Sequence, residues 1–162
     1  MVTTATLGID PGLSGGLAIY EVKTGALLVA KMPVHEITTA KGTRKKVLDL
    51  HAIRDWLDLY AGPHLHAWVE NPHAMPGQGV VSMFTFGIVC GALHMAVVMA
   101  RMPMTLVAPN VWKRHMGLTS DKDHARRRAS QLMPAYAQCW AKKGQDGVAE
   151  AALLAYYGAH QP

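Results

Sequence analysis

Four acidic residues stand where carboxylates could do chemistry. Asp10 ends an apolar run, Thr6 to Ile9, just before a turn through Pro11 and Gly12, and Glu70 ends a second run, Leu65 to Val69, just before Asn71 and Pro72. Asp146 and Glu150 lie four residues apart in KKGQDGVAEAALLAYYG, a spacing that projects both from one face of a helix. Each acid has an ordinary explanation taken alone: Asp is common at turn starts, and acids in a first helical turn complement the dipole. Taken together, two strand-end acids and two helix acids can converge on one cleft, where they repel one another and do not all stay ionised without cations. Oxygen-only donors with room for water suit Mg²⁺ or Mn²⁺ rather than zinc. Two such ions about 3.5–4 Å apart activate a water and stabilise the leaving oxygen of an in-line phosphodiester displacement.

The elements that must position these acids are legible in order. Thr6 to Tyr20, TLGIDPGLSGGLAIY, reads as a strand, a tight turn and a returning strand, and Ala26 to Val34 adds a third, giving an antiparallel meander. A polar, basic loop, Thr38 to Lys46, leads to Asp49, the N-cap of an amphipathic helix carrying Leu50, Ile53, Trp56, Leu57 and Tyr60, with Gly62 and Pro63 as its stop. The strand ending in Glu70 is followed by HAMPGQGVV, His73 to Val81, too rich in Gly and Pro for regular structure; this loop beside an acid is placed to touch substrate, with Gln78 as its candidate contact. Ser82 caps a long helix running to Ala100. Gly87 and Gly91 share one of its faces, which suits close packing on the sheet or, alternatively, a subunit contact. Met104 to Ala108 is a fifth strand, and Pro109 to Met116 a short helix with Pro in its first turn. Thr119 or Ser120 caps a basic helix, with Asp121 and Asp123 in its first turn, that Pro134 ends; a last helix runs from near Gln145 to Tyr157. This is an α/β order in which the first and fourth strands can be central neighbours, setting Asp10 beside Glu70 under the last helix.

Length and composition agree with one domain over residues 1–162, half of them hydrophobic. Cys90 and Cys139 lack ligand-like spacing and read as buried free thiols of a reducing compartment, and no charged, then apolar, leader begins the chain, so a cytoplasmic protein is expected. Phe84 to Ala100 carries no Asp, Glu, Lys or Arg, but it is short for a membrane span and reads as a buried core helix. The methionines read as adaptable core. The net charge of +5 is clustered: Lys41, Arg44, Lys45 and Lys46; Lys113 and Arg114; Lys122 with Arg126, Arg127 and Arg128; Lys142 and Lys143. Such clustering points to a polyanion, and nucleic acid first.

The series GIDPGLSGG with Asp10, VEN with Glu70, AMPGQGVVSMFTFG, VAPNVWKRHMGL, RRRASQLMP, and KKGQDGVAEAALLAYYG with Asp146 and Glu150 resembles, in that order and over most of the chain, the RuvC-type Holliday junction resolvases, especially their phage-like branch. The resemblance implies a ribonuclease H-like fold with a mixed five-stranded sheet flanked by helices, a homodimer, and Mg²⁺- or Mn²⁺-dependent paired nicking of four-way DNA junctions. It assigns Asp10, Glu70, Asp146 and Glu150 as catalytic ligands of Mg²⁺ or Mn²⁺, two ions per active site, while the basic clusters and the loop after Glu70 make Lys45, Lys46, Gln78, Lys113, Arg126 and Arg127 the candidate DNA contacts. Lys113 would meet the scissile phosphate, or else be a surface lysine beside a core-packed Trp112. The chain departs from the family in its last acid, Glu where Asp is frequent, and in His73, where some bacterial members carry an aromatic wedge.

Other chemistries fit less well. The first glycine-rich turn is similar to the phosphate loop of sugar-kinase and actin-like ATPases, which need a second such domain. No HExxH pair and no nucleophile elbow occurs. A fork- or flap-trimming nuclease of the same fold and a non-catalytic DNA-binding module remain the rival readings.

Overall fold

The computed structural model describes residues 4–60, 62, 64–119 and 121–161, so Pro63 and Ser120, expected at a helix stop and a helix cap, lie outside the described residues. In chain order the elements are β1 (Ala5–Asp10), β2 (Gly16–Glu21), β3 (Leu27–Lys31), β4 (Val34–Thr38), β5 (Arg44–Leu48), α1 (Leu50–Asp58), β6 (Leu65–Glu70), α2 (Val80–Met99), β7 (Met104–Val107), α3 (Pro109–His115), α4 (Lys122–Leu132), a 3-10 segment (Pro134–Trp140) and α5 (Asp146–Ala159). Five strands form the main sheet in the order β3-β2-β1-β6-β7. β1 runs antiparallel to β2 and parallel to β6, which is parallel to β7, so the sheet is mixed and β1 and β6 are neighbours, as the element order allows.

Side-chain alternation divides each strand between two apolar layers. Leu7 and Ile9 of β1 and Leu65, Ala67 and Val69 of β6 join Ile53 and Leu57 of α1 and Val89, Leu93 and Val97 of α2. The opposite face of the sheet lies under α5, with α3, α4 and the 3-10 segment around it. Thr6, Gly8 and Asp10 alternate with Leu7 and Ile9 and so look toward α5, as do Trp68 and Glu70 on β6. Parity alone puts both strand-end acids on the α5 side.

Two glycines let α5 approach this closely. A Cβ on Gly8 would stand 2.1 Å from the Ala151 carbonyl oxygen, and one on Gly147 would stand 2.3 Å from that of Ser14, so backbone meets backbone at both places. Thr6 reinforces the seat by donating from its buried hydroxyl to the Ala155 carbonyl at 2.7 Å.

Several expectations are corrected. The basic stretch Thr38 to Lys46 is no loop: β4 and β5 pair antiparallel, Val34 with Leu48 through Thr38 with Arg44, around a turn with Gly42 at φ +77°. The third strand accordingly stops at Lys31. α2 starts two residues before Ser82, with Gly79 as N-cap, so Val80 and Val81 leave the loop and enter the helix. Nor is α2 a buried core helix. Among its 20 residues Val89, Leu93 and Val97 are buried, while Gly87 and Gly91 face open space, with nothing within 4 Å of an added Cβ, so they do not seat the helix on the sheet. By length and composition α2 is also apolar enough to cross a membrane. Asp121, not Thr119, caps α4, accepting from the Asp123 N–H at 2.9 Å. The methionines divide: Met32, Met102, Met116 and Met133 are buried, but Met75, Met95 and Met99 are exposed. Cys90 and Cys139 are free and only half-buried.

Candidate active site

Asp10 and Glu70 terminate parallel, adjacent strands, with Ile9 in register with Val69, so their carboxylates emerge side by side at the carboxyl end of the sheet, where open α/β folds place their ligands. Glu150 reaches the same point from the second turn of α5. Carboxylate oxygens of Asp10, Glu70 and Glu150 all lie within 4.8 Å of one another.

α3 supplies the groups that hold this trio. Ala108 precedes a Pro at the first helical position, which aims the short helix so that Trp112 is buried and Lys113 turns inward. The Trp112 indole donates from Nε1 to Glu70 Oε1 at 3.1 Å, giving a buried carboxylate and a buried N–H one partner for both. Lys113 Nζ donates to Glu150 Oε2 at 2.7 Å and stands 3.4 Å from Glu70 Oε1. Trp112 is thus core-packed, but its neighbour is no bystander. Trp112 as a donor to Glu70 was not anticipated; the available signal was that a buried indole N–H needs an acceptor, and Glu70 is the buried carboxylate of the α5 face.

Burial, then the charges of Glu150 and Glu70, pushes the Asp10 carboxyl well above the usual range against the pull of Lys113. Burial likewise raises Glu70, despite Lys113 and the Trp112 hydrogen bond. For Lys113 burial alone would lower the pKa, but the hydrogen bond to Glu150 and the charges of Glu150, Glu70 and Asp10 outweigh it and raise it. One ammonium therefore faces three acids, two of them held out of water. Such an oxygen-lined, under-neutralised cluster fits a hard divalent cation, whose charge would offset the burial, and the lesser mutual repulsion, that make Asp10 and Glu70 hard to ionise.

Asp146 stands apart from the trio. At the first residue of α5 its Oδ1 lies 3.0 Å from Arg126 Nε, without an aligned hydrogen bond. Arg126 also pairs with Asp123 and donates to the Ala141 carbonyl at 3.3 Å. Arg127 is exposed and pairs with Asp121 at 2.7 Å. Lys45 and Lys46 are exposed on β5, on one wall of a cleft of about 970 Å³ that β4, β5 and α2 enclose. Gln78 is exposed in the loop after Glu70, its Oε1 accepting from the Met75 N–H at 2.7 Å.

With this geometry in view, the comparisons with known proteins are specific about fold. The structure of Thermus thermophilus RuvC in complex with a Holliday junction substrate is similar over 96% of this chain and 92% of that one, with a TM-score of 0.60 and 18% sequence identity. A second structure of Thermus thermophilus RuvC gives a TM-score of 0.58, again at 18% identity, over 96% and 95% of the two chains. No protein-family model matches the sequence, and no curated protein sequence matches it. The chain has the RuvC-type, ribonuclease H-like fold, a mixed five-stranded sheet flanked by helices.

Proposed function

We propose that this chain is a divalent-metal-dependent, structure-selective DNA endonuclease that resolves four-way junctions by paired nicks, acting as a homodimer in the cytoplasm. The observation that carries the reading is the convergence of Asp10, Glu70 and Glu150 within 4.8 Å at the carboxyl end of a RuvC-type sheet. The fold was solved for a relative bound to a Holliday junction substrate, and this chain's charge of +5 suits a phosphate backbone.

In this reading Asp10, Glu70 and Glu150 hold Mg²⁺ or Mn²⁺, with Asp146 as a further ligand. Bound there, divalent metal supplies an activated water and charge stabilisation at the leaving oxygen of the scissile phosphodiester, two ions being the arrangement that serves both ends of the bond. Trp112 keeps Glu70 aimed, which fixes one ligand before substrate arrives. Lys113 sits where positive charge is wanted and, released from Glu150, meets a phosphate oxygen. Lys45, Lys46, Gln78, Arg126 and Arg127 contact the arms of the DNA.

Symmetry supports the dimer, since a junction has two equivalent strands to cut and the described residues of the chain gather one acid cluster. Its surface is the outer face of α2, where Val80, Val81, Phe84, Ile88, Met95 and Met99 are exposed, a patch better covered by a second copy than by lipid because the inner face of the same helix is docked on the sheet. The test is cleavage of labelled four-way, forked and linear duplex DNA with Mg²⁺, Mn²⁺ or EDTA. Metal-dependent, symmetric nicks confined to the four-way substrate are expected; equal cutting of forks would replace junction resolution with branch trimming, and no cutting in any metal would leave a DNA-binding module.

A further inference from the structure

The fourth acid is not with the other three, and its nearest charged neighbour is Arg126. Asp146 opens α5 and Glu150 follows one turn later on the same face, so the backbone already aims Asp146 toward the cluster Glu150 has joined. Its side chain instead lies against the guanidinium of Arg126, Oδ1 to Nε 3.0 Å. This contact is poorly made. Both atoms are buried, and neither has an aligned hydrogen-bond partner among the described residues, so the pair holds two polar atoms away from water without satisfying them. The guanidinium meanwhile forms one wall of an open groove of about 450 Å³ lined by Asp123, Arg127, Ser130, Gln131 and Trp140, wide enough for a phosphate group. Arginine binds carboxylate and phosphate through the same planar fork, so an entering phosphate competes for it with Asp146 at Nε and with Asp123 at the terminal nitrogen.

We propose that Arg126 is a positioning residue that latches Asp146 away from the metal cluster until a backbone phosphate of DNA takes its place. The free protein then binds metal through Asp10, Glu70 and Glu150, and Asp146 joins them when the guanidinium turns to the phosphate. Metal binding and DNA binding become coupled through one side chain, which keeps the complete ligand set from assembling off substrate. The latch rests on the metal-site reading given above.

The test is titration of the DNA-free, full-length protein with Mn²⁺, read by the electron paramagnetic resonance signal of the free ion. Asp146→Asn should leave the Mn²⁺ affinity of the free protein unchanged, because the latched carboxylate is not a ligand. Arg126→Gln should tighten Mn²⁺ binding by about fivefold or more, the low end of ordinary coupling between two sites. That gain should vanish in Arg126→Gln with Asp146→Asn, which separates release of Asp146 from the mere loss of a nearby positive charge. Should Arg126→Gln fold poorly, wild type and Asp146→Asn compared with and without a DNA junction carry the same test: the junction should tighten Mn²⁺ binding in the wild type and much less in the variant. Mn²⁺ binding that requires Asp10 but is weakened by Asp146→Asn without DNA, or is equal in wild type and Arg126→Gln, overturns the latch alone. A gain that persists in the double variant also overturns it. Absence of Asp10-dependent Mn²⁺ binding overturns the metal site and the latch with it.

Discussion

The helices on the two faces of the sheet are both apolar, yet they are used in opposite ways. α5 buries ten of its 14 residues, Gly147 to Ala149, Ala151 to Ala155, Tyr157 and Gly158, against β1, β2 and their surroundings. α2 buries three of its 20. The difference lies in side-chain size and in what each helix must hold. α5 is built of Ala and Gly at the places where Gly8 and Gly16 of the sheet meet it, so its backbone is fixed at van der Waals distance and Glu150 is delivered to a defined point. α2 touches the sheet with one narrow stripe, and large side chains such as Phe84, Ile88 and Met99 point outward. One face of the sheet is finished within the chain and carries the acid cluster; on the other, α2 leaves large apolar side chains exposed, the surface on which the proposed dimer would form.

The largest effect should come from the finished face. Asp10→Asn or Glu70→Gln removes a carboxylate of the proposed metal site and should lower cleavage by about a thousandfold or more, equivalent to about 4 kcal/mol of transition-state stabilisation, within the several that a metal ion contributes. Junction binding in a gel-shift assay should survive, and near-wild-type nicking at saturating metal would remove these acids from the active site. The same variant reports on charge. Asp10 and Glu70 have folded-state pKa values raised above their unfolded ones, so each contributes stability that is present below the unfolded carboxylate pKa and is lost as pH rises through the folded value. In EDTA, Asp10→Asn should therefore melt above the wild type at pH 8, with the gap closing as pH falls toward 5. A gap that widens on acidification would mean that burial and the neighbouring charges do not raise the Asp10 carboxyl.

Packing gives the next contrast. Gly8→Ala forces a methyl onto the Ala151 carbonyl, a backbone atom that no rotamer change can move aside, and should cost about 3 kcal/mol in urea unfolding and misplace Glu150. A cost under about 1 kcal/mol would show that α5 can shift, and the contrast in rigidity between the two helices would lose its basis. On the open face, Ile88→Asp puts a charge on a residue 58% exposed in the single chain. Stability of the monomer should change by less than about 0.5 kcal/mol, as for an ordinary surface substitution, while dimer dissociation should strengthen by at least about tenfold in sedimentation because an unpaired charge would be buried at the contact. On a cruciform plasmid the wild type should then give linear product and this variant mostly nicked circles.

How much of this the sequence disclosed depended on whether the signal was local. Asp10 and Glu70 were legible because a strand followed by a Pro or Gly turn marks its own end, and the parallel pairing of β1 with β6 follows from the element order. β4 and β5 were not, because RKKV carries solvated charge where a loop would, and only the ladder with VHEIT makes it a strand. The exposure of α2 was hidden for a related reason: a helix that is apolar all round reads as buried, and only the packed fold shows that one narrow stripe of it is. Asp146 and Glu150 read as a pair from their spacing, yet they part because Arg126 and Lys113, distant in sequence, draw them to different partners.

The smallest effect distinguishes a helix waiting for a partner from one that is merely loosely packed. Gly87 and Gly91 sit inside α2 with nothing within 4 Å of an added Cβ, so no contact among the described residues requires either of them. A glycine in a helix interior costs about 0.5–1 kcal/mol relative to alanine, because its backbone loses more freedom on folding. Gly87→Ala and Gly91→Ala should each therefore raise monomer stability by about that amount, measured by urea unfolding at a protein concentration low enough to dissociate any dimer. If the glycines are present so that a second copy's backbone can approach, the same methyl groups should weaken dimerisation at higher concentration, and the two measurements will move in opposite directions. A change that stabilises at both concentrations would place the contact elsewhere on α2, along the row of large side chains. A change that destabilises the monomer would mean that this face is already covered within the chain, and the contrast between the two faces of the sheet would fall.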